Sequence, residues 1–212
     1  MSARDTQGDI SEHVPTLYDE ALRSTHVTEL AAACGAGSWA LARGLAHALL
    51  VPRSHGQQTT QGRPHRIVTV DMNVCPGRTH FADVCARVGL SVETRVGDTA
   101  ATQIEETDLL FIDSWHVHAH LSRELDRHHA RVRRRIVMHD TTIDAVYGES
   151  VRMGLDVDAQ ARQFGYALDD IRRGVWSAVA EFLAAHPDEW RLAHRWTNCN
   201  GLTVLERAGP SP

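Results

Sequence analysis

Four acidic residues sit at or near the ends of short apolar runs: Glu29, Asp71, Asp113 and Asp140. A carboxylate at the carboxyl end of a buried parallel strand faces the crevice where such sheets bind ligands. Two of the four have histidine close by, in Asp113-Ser114-Trp115-His116 and His139-Asp140-Thr141. Carboxylates joined by imidazole and water suit an octahedral divalent cation, Mg2+ first. Imidazole also keeps Fe, Mn and Zn open. A cation there would lower the pKa of a bound hydroxyl and hold it in place. His116, with an ordinary pKa near neutrality, is the candidate general base. The plain alternatives are a surface histidine at His116 and a hydrogen-bonded strand histidine at His139.

A second group of residues fits a nucleotide-like cofactor. The stretch Glu29-Leu-Ala-Ala-Ala-Cys-Gly-Ala-Gly-Ser38 joins a strand to a helix through small residues. Such a turn, with Ala31, Gly35 and Gly37, lets a ligand approach the backbone and the free N–H groups of a helix start. Asp71 ends the next strand, where an acid can hold both ribose hydroxyls. Gly97-Asp98-Thr99 follows the third strand and offers an acid and a hydroxyl to an adenine amino group. Each feature alone has a structural reading, as helix packing or an Asx turn. Jointly they fit an adenosyl cofactor.

Alternating periodicities set the elements that position these residues. Helices are expected over Val14–Arg23, Ser38–Leu50, Thr79–Val88, Val117–Arg131 and Gly174–Ala185. Strands are expected over Val27–Ala32, Arg66–Met72, Leu90–Val96, Asp108–Asp113 and Arg135–Asp140. Trp190–Trp196 and Leu202–Glu206 read as a closing hairpin around an Asn-Cys-Asn-Gly turn. Pro52–His65 is a polar loop, and the Arg131–Arg135 run reads as a solvated helix end. The order implies an α/β, Rossmann-like, mostly parallel seven-stranded sheet, with helices on both faces and a C-terminal antiparallel hairpin. Residues 13–207 form one domain between a flexible 1–12 start and a 208–212 tail. Thr141–Arg173 is mixed and long enough for a lid, with Tyr147, Phe164 and Tyr166 as candidate substrate contacts. His118 and His120 are expected to face solvent, and Asn198 and Asn200 to stabilise the hairpin or line the substrate mouth.

Composition narrows the chemistry. The net charge is −5, which disfavours general nucleic-acid binding and favours a small-molecule substrate. All 22 basic residues are arginine, so no lysine can form a Schiff base or serve a phosphate-binding loop. There is no long apolar run or secretory signal, so no membrane contact is expected and the location expected is cytoplasmic. Cys34, Cys75, Cys85 and Cys199 lie far apart and read as free thiols.

The segments ELAAACGAGS, VTVDMN, GDT and DLLFIDSWH resemble the successive motifs of class I S-adenosylmethionine-dependent methyltransferases. Within that class the likeness is to metal-dependent O-methyltransferases of the catechol and macrolide-sugar kinds, from about Glu29 to Asp140 plus the hairpin. Ala31 stands where that family has glycine. The resemblance implies that Glu29, Ala31 and Gly35 line the methionine end, that Asp71 holds the ribose, and that Met72, Asp98 and Trp115 surround the adenine. Gly37, Gly97, Thr99 and Asp113 complete the cofactor set. It carries metal ligation onto Asp113 and Asp140, with the third ligand either Thr141 or, preferred, His139. The activity implied is O-methylation of a small-molecule hydroxyl, on a secondary metabolite or sugar, by a possible homo-oligomer. Rival readings are an NAD-type oxidoreductase, an iron-dependent oxygenase and a cofactor-binding domain without turnover.

Overall fold

The computed structural model describes residues 10–31, 34–50 and 65–209. The β-branched and apolar runs form seven strands: β1 (His26–Leu30), β2 (Arg66–Asp71), β3 (Ser91–Val96), β4 (Thr107–Ile112), β5 (Val132–His139), β6 (Trp190–Trp196) and β7 (Leu202–Arg207). They make one sheet in the order β3-β2-β1-β4-β5-β7-β6. β1 to β5 run parallel, and β7 is antiparallel to both β5 and β6. The all-parallel order of dinucleotide-binding sheets is 3-2-1-4-5-6. Here an antiparallel strand separates β5 from β6, which sets this sheet apart from that of an NAD enzyme.

Helices cover both faces. α1 (Val14–Leu22), α2 (Ala36–Leu50) and α3 (Arg78–Arg87) lie on one side, α4 (His118–His128) and α8 (Val175–Ala185) on the other. The alternation along β4 shows why the strand is apolar throughout. Leu109 and Phe111 pack with Leu17, Leu41 and Leu45, while Leu110 and Ile112 pack with Leu121, Leu125 and Val179. A strand buried on both faces has no polar side to display. Between β5 and α8 run three short helices: α5 (Glu149–Arg152), α6 (Val157–Phe164) and α7 (Leu168–Arg172). Asp156 caps α6 by accepting from the Ala159 N–H at 2.8 Å.

Several expectations are corrected. The arginine run is no solvated helix end. α4 stops at His128, a 3-10 turn spans His129–Arg131, and β5 begins at Val132. Acidic partners explain how arginines enter the strand: Arg133 meets Asp108 at 3.1 Å, and Arg135 bridges Glu20 (3.0 Å) and Glu206 (2.7 Å). His118 and His120 are buried rather than solvent-facing, because α4 turns them under α7 and α8 and each finds polar partners. Cys34 and Cys75 form a disulfide with Cα atoms 6.2 Å apart, so of the four thiols expected only Cys85 and Cys199 stand outside a disulfide. Pairing of β1 with β2 brings their exit loops together, which distance along the chain concealed.

At the start, Ile10 is buried in the core beside Leu17, and a 3-10 turn at Ser11–His13 leads into α1. The polar loop expected over 52–65 lies almost wholly outside the described residues. No helix among the described residues is long and apolar enough to cross a membrane.

Candidate active site

Strand register explains how the acids converge. Leu30 is level with Val70 on β2 and with Ile112 on β4, and Ile112 is level with Met138 on β5. The next row is therefore Ala31, Asp71, Asp113 and His139, of which Asp71 and His139 are the last residues of their strands and Ala31 and Asp113 the first beyond theirs. Glu29 lies two residues deeper in the sheet, and Asp140 one residue further out.

Ala31 and Asp71 of this row open on a cavity of about 380 Å3. Ala31, Asp71, Met72, Asp98, Thr99 and Trp115 all contribute to its wall. Asp71 accepts from the Asn73 N–H at 2.6 Å, and Asp98 from the Ala100 N–H at 2.9 Å, so both carboxylates are fixed by their own turns. A Cβ built on Gly35 would meet nothing within 4 Å, which leaves room beside the chain there. Gly37 does not reach the cavity. A Cβ there would press on Phe111 at 3.2 Å, so this glycine seats α2 on the sheet. Gly97 is likewise a turn residue, whose N–H donates to the Asp71 carbonyl at 2.9 Å.

Ala31 has φ +63° while its N–H donates to the Val70 carbonyl at 2.7 Å. An L-residue is strained in that region, where glycine is not. Asp140 is also left-handed, at φ +57°. Strained backbone at the exits of both β1 and β5 is a mark of functional loops.

Glu29 is buried and accepts from the Ser38 hydroxyl at 2.8 Å. Burial pushes its carboxyl up to about 8, helped by the charges of Asp113 and Asp71 and opposed by the Ser38 bond. Its other oxygen has no hydrogen-bond partner among the described residues. Glu29 is thus a largely neutral acid beneath the row.

The acidic centre lies at the β4 and β5 exits. His139 Nδ1 stands 3.2 Å from Asp113 Oδ1 and 3.3 Å from Asp140 Oδ1. Its Nε2 donates to the Cys199 carbonyl at 3.1 Å, which fixes the ring and turns Nδ1 toward the two acids. Thr141 turns away: its hydroxyl accepts from Thr203 on β7 at 2.8 Å. His116 lies among four carboxylates, with Asp140 at 3.1 Å, Asp113 at 3.4 Å, Glu149 at 3.5 Å and Asp144 at 3.9 Å.

These charges set the protonation. Burial alone would raise Asp113, but His116 and His139 outweigh it and hold the carboxyl at about 2. Burial alone would lower His116, but Asp113, Glu149 and Asp140 push it up to about 10. The near-neutral histidine expected of the sequence is therefore an imidazolium among carboxylates. His139 shifts upward for the same reason, Asp113 being its main partner.

Two of these neighbours escaped the sequence reading. Asp144 is fully buried and held by Arg152, with Nε at 2.5 Å and Nη2 at 2.9 Å. Glu149 starts α5 and lines the cavity. No motif marks either; only the turn after Asp140 returns them to the centre. A hydrogen-bonded chain in the cavity wall was missed as well. Tyr166 and Thr99 each hydrogen-bond His120 at 2.9 Å, and Glu124 accepts from Ser114 at 2.7 Å. Of the three aromatic residues proposed for substrate, Phe164 and Tyr166 pack on Trp115 at the cavity, while Tyr147 is exposed away from it. Asn198 and Asn200 serve the hairpin. The Asn200 carbonyl accepts from Thr142 and Ile143, and Gly201 is left-handed at φ +97° with Thr142 pressed against it.

The fold has close counterparts among solved structures. The O-methyltransferase TomG from Streptomyces achromogenes, involved in tomaymycin synthesis and solved with S-adenosylmethionine, aligns with TM-score 0.56 and 17% identity over 94% of this chain and 81% of that one. A putative caffeoyl-CoA O-methyltransferase from Staphylococcus aureus aligns at 0.55 and 12% over 93% and 83%. The N-terminal domain of EvdMO1, solved with S-adenosylhomocysteine and D-fucose, aligns at 0.52 and 17% over 97% and 85%.

The chain has the Rossmann-like methyltransferase fold.

No family model and no curated protein sequence matches it. Identities this low show the shared methyltransferase fold alone, so activity must be argued from the site.

Proposed function

We propose that the chain transfers a methyl group from S-adenosylmethionine to a hydroxyl of a small molecule. The observation that supports this is the row Ala31–Asp71–Asp113–His139: its first two members line the cavity, and its last two follow across the same sheet end, where a cation-holding group would neighbour a ribose-holding acid. Asp71 would hold the ribose hydroxyls, with Met72, Asp98, Thr99 and Trp115 around the adenine. Ala31 and the open space at Gly35 admit the methionine end, above neutral Glu29.

The acidic centre fits a divalent cation. Asp113, His139 and Asp140 each turn one ligand atom to a common point, all within 4.8 Å of one another. His139 has its outer nitrogen tied to a carbonyl, as metal-ligating histidines do. The position of Thr141 favours His139 over it as third ligand. Two carboxylates suit Mg2+, and imidazole admits Mn2+ or Fe2+. A bound cation would offset the carboxylate charge that keeps His116 protonated and would acidify a coordinated hydroxyl.

His116 would then take the hydroxyl proton at whichever ring nitrogen faces the substrate. S-adenosylmethionine held there would supply an electrophilic methyl group, which the deprotonated acceptor oxygen would take while the C–S bond electrons stay with sulfur. The fixed carboxylates would orient the acceptor. D-fucose in a structural neighbour is one ground for a sugar or secondary-metabolite hydroxyl as acceptor.

The test is transfer of labelled methyl from S-adenosylmethionine to a panel of sugars, catechols and polyketides, with Mg2+ and with chelator. Asp113→Asn and His116→Ala should each abolish transfer while S-adenosylhomocysteine still binds. Full transfer by both variants would remove the cation and base from the reading. Cofactor binding without transfer to any acceptor would favour a non-catalytic domain.

A further inference from the structure

A second constellation of ligand-type side chains lies at the far end of the sheet. His129 is in the 3-10 turn before β5, His186 follows α8, and Glu189 precedes β6. β5 and β6 start at the same end of the sheet, opposite the cavity. The eight residues of β5 put roughly 25 Å between this cluster and His139.

Two turns remote in sequence bring the three groups together. One nitrogen from each histidine and one Glu189 oxygen lie within 4.8 Å of one another. The imidazole centroids are 4.3 Å apart, and His186 Nδ1 is 3.3 Å from Glu189 Oε1. Phe182 packs against both rings, at 5.4 Å from His129 and 4.8 Å from His186, and so restricts their orientation. Nδ1 of His129 is buried with no hydrogen-bond partner among the described residues. An orphaned nitrogen beside a second imidazole is a poor arrangement for protein alone, and a good one for a metal ion. Arg207 does not block it, because its guanidinium meets Glu189 at Oε2, 3.4 Å away, and its other nitrogen bonds the His129 carbonyl. Burial, and then the charge of His186, lower the pKa of His129, so its lone pair is available at neutral pH.

We propose that His129, His186 and Glu189 bind one divalent ion of the Zn2+ class, with water completing the coordination, and so pin the turn before β5 to the turn before β6. Two imidazoles and one carboxylate select Zn2+, Ni2+ or Cu2+ over Mg2+ or Ca2+. The centre at Asp113, His139 and Asp140 also carries an imidazole and can take Zn2+, so the two sites are separated by mutation.

The full chain is titrated calorimetrically with Zn2+, beside His186→Ala and Glu189→Gln. Both altered side chains are at least partly exposed at the surface, and circular dichroism verifies their folding. The unaltered chain should bind a Zn2+ ion that both variants bind at least about ten-fold more weakly. A Zn2+-dependent rise in melting temperature should be lost with it, while S-adenosylhomocysteine titrates unchanged. If the unaltered chain takes up no Zn2+, or if both variants titrate as it does, the site does not exist. If one variant fails to fold, the other decides.

Discussion

Ala31→Gly should stabilise this protein, although replacing alanine by glycine in ordered chain is usually destabilising. Ala31 is held at φ +63° by the bond from its N–H to the Val70 carbonyl. The left-handed region costs an L-residue about 1–2 kcal/mol. Glycine removes that strain but gives the unfolded chain more freedom, at about 0.4–1 kcal/mol. The difference favours the variant by roughly 1 kcal/mol, or about 2–4 °C in melting temperature for a chain of this size. Because the Ala31 methyl lines the cavity, S-adenosylhomocysteine affinity should hold or improve. Urea denaturation and calorimetric titration read the two effects. A loss of about 1 kcal/mol, as at an ordinary position, would show that the backbone is not strained there.

Other outcomes follow from the same geometry. Glu29 has its folded pKa raised to about 8 from an ordinary 4.5, so the folded state holds a proton that the unfolded state releases between those values. This contribution is complete below about pH 4.5 and falls by about 1.4 kcal/mol per pH unit as pH rises toward 8; Glu29→Gln should flatten that part of the stability profile. Reducing the Cys34–Cys75 bridge, with a sequence separation of 41, should lower stability by up to about 4 kcal/mol. It should also weaken S-adenosylhomocysteine binding, since it frees the loops after β1 and β2 together; equal affinity with and without dithiol would refute that link. Arg152→Ala leaves the buried Asp144 carboxylate without its bidentate partner. A loss of about 2 kcal/mol is expected in urea denaturation, below the usual buried-pair figure because Arg152 is one-third exposed.

What the sequence made legible was whatever repeats at short range. The β4 run DLLFID, the glycine stretch before α2 and the Trp190–Trp196 and Leu202–Glu206 pair each carry their own periodicity, and each forms its element within a residue or two. The acids at the strand ends were legible because a parallel sheet sends every strand end to the same side. Features made by tertiary contact were not legible. Arg133 and Arg135 sit in a strand because Asp108, Glu20 and Glu206 arrive from elsewhere. His120 is buried because Tyr166 and Thr99 meet it. Cys34 and Cys75 pair because β1 and β2 do. Asp144 and Glu149 reach His116 only through the turn after Asp140, whose left-handed backbone no residue pattern announces.

Calorimetric titration with S-adenosylhomocysteine, of the unaltered chain and of Asp71→Ala, addresses the cofactor most directly. One molecule per chain should bind, at least about ten-fold more weakly in the variant, with no heat from NAD. Saturable NAD binding with none of S-adenosylhomocysteine would contradict the proposed chemistry of the cavity.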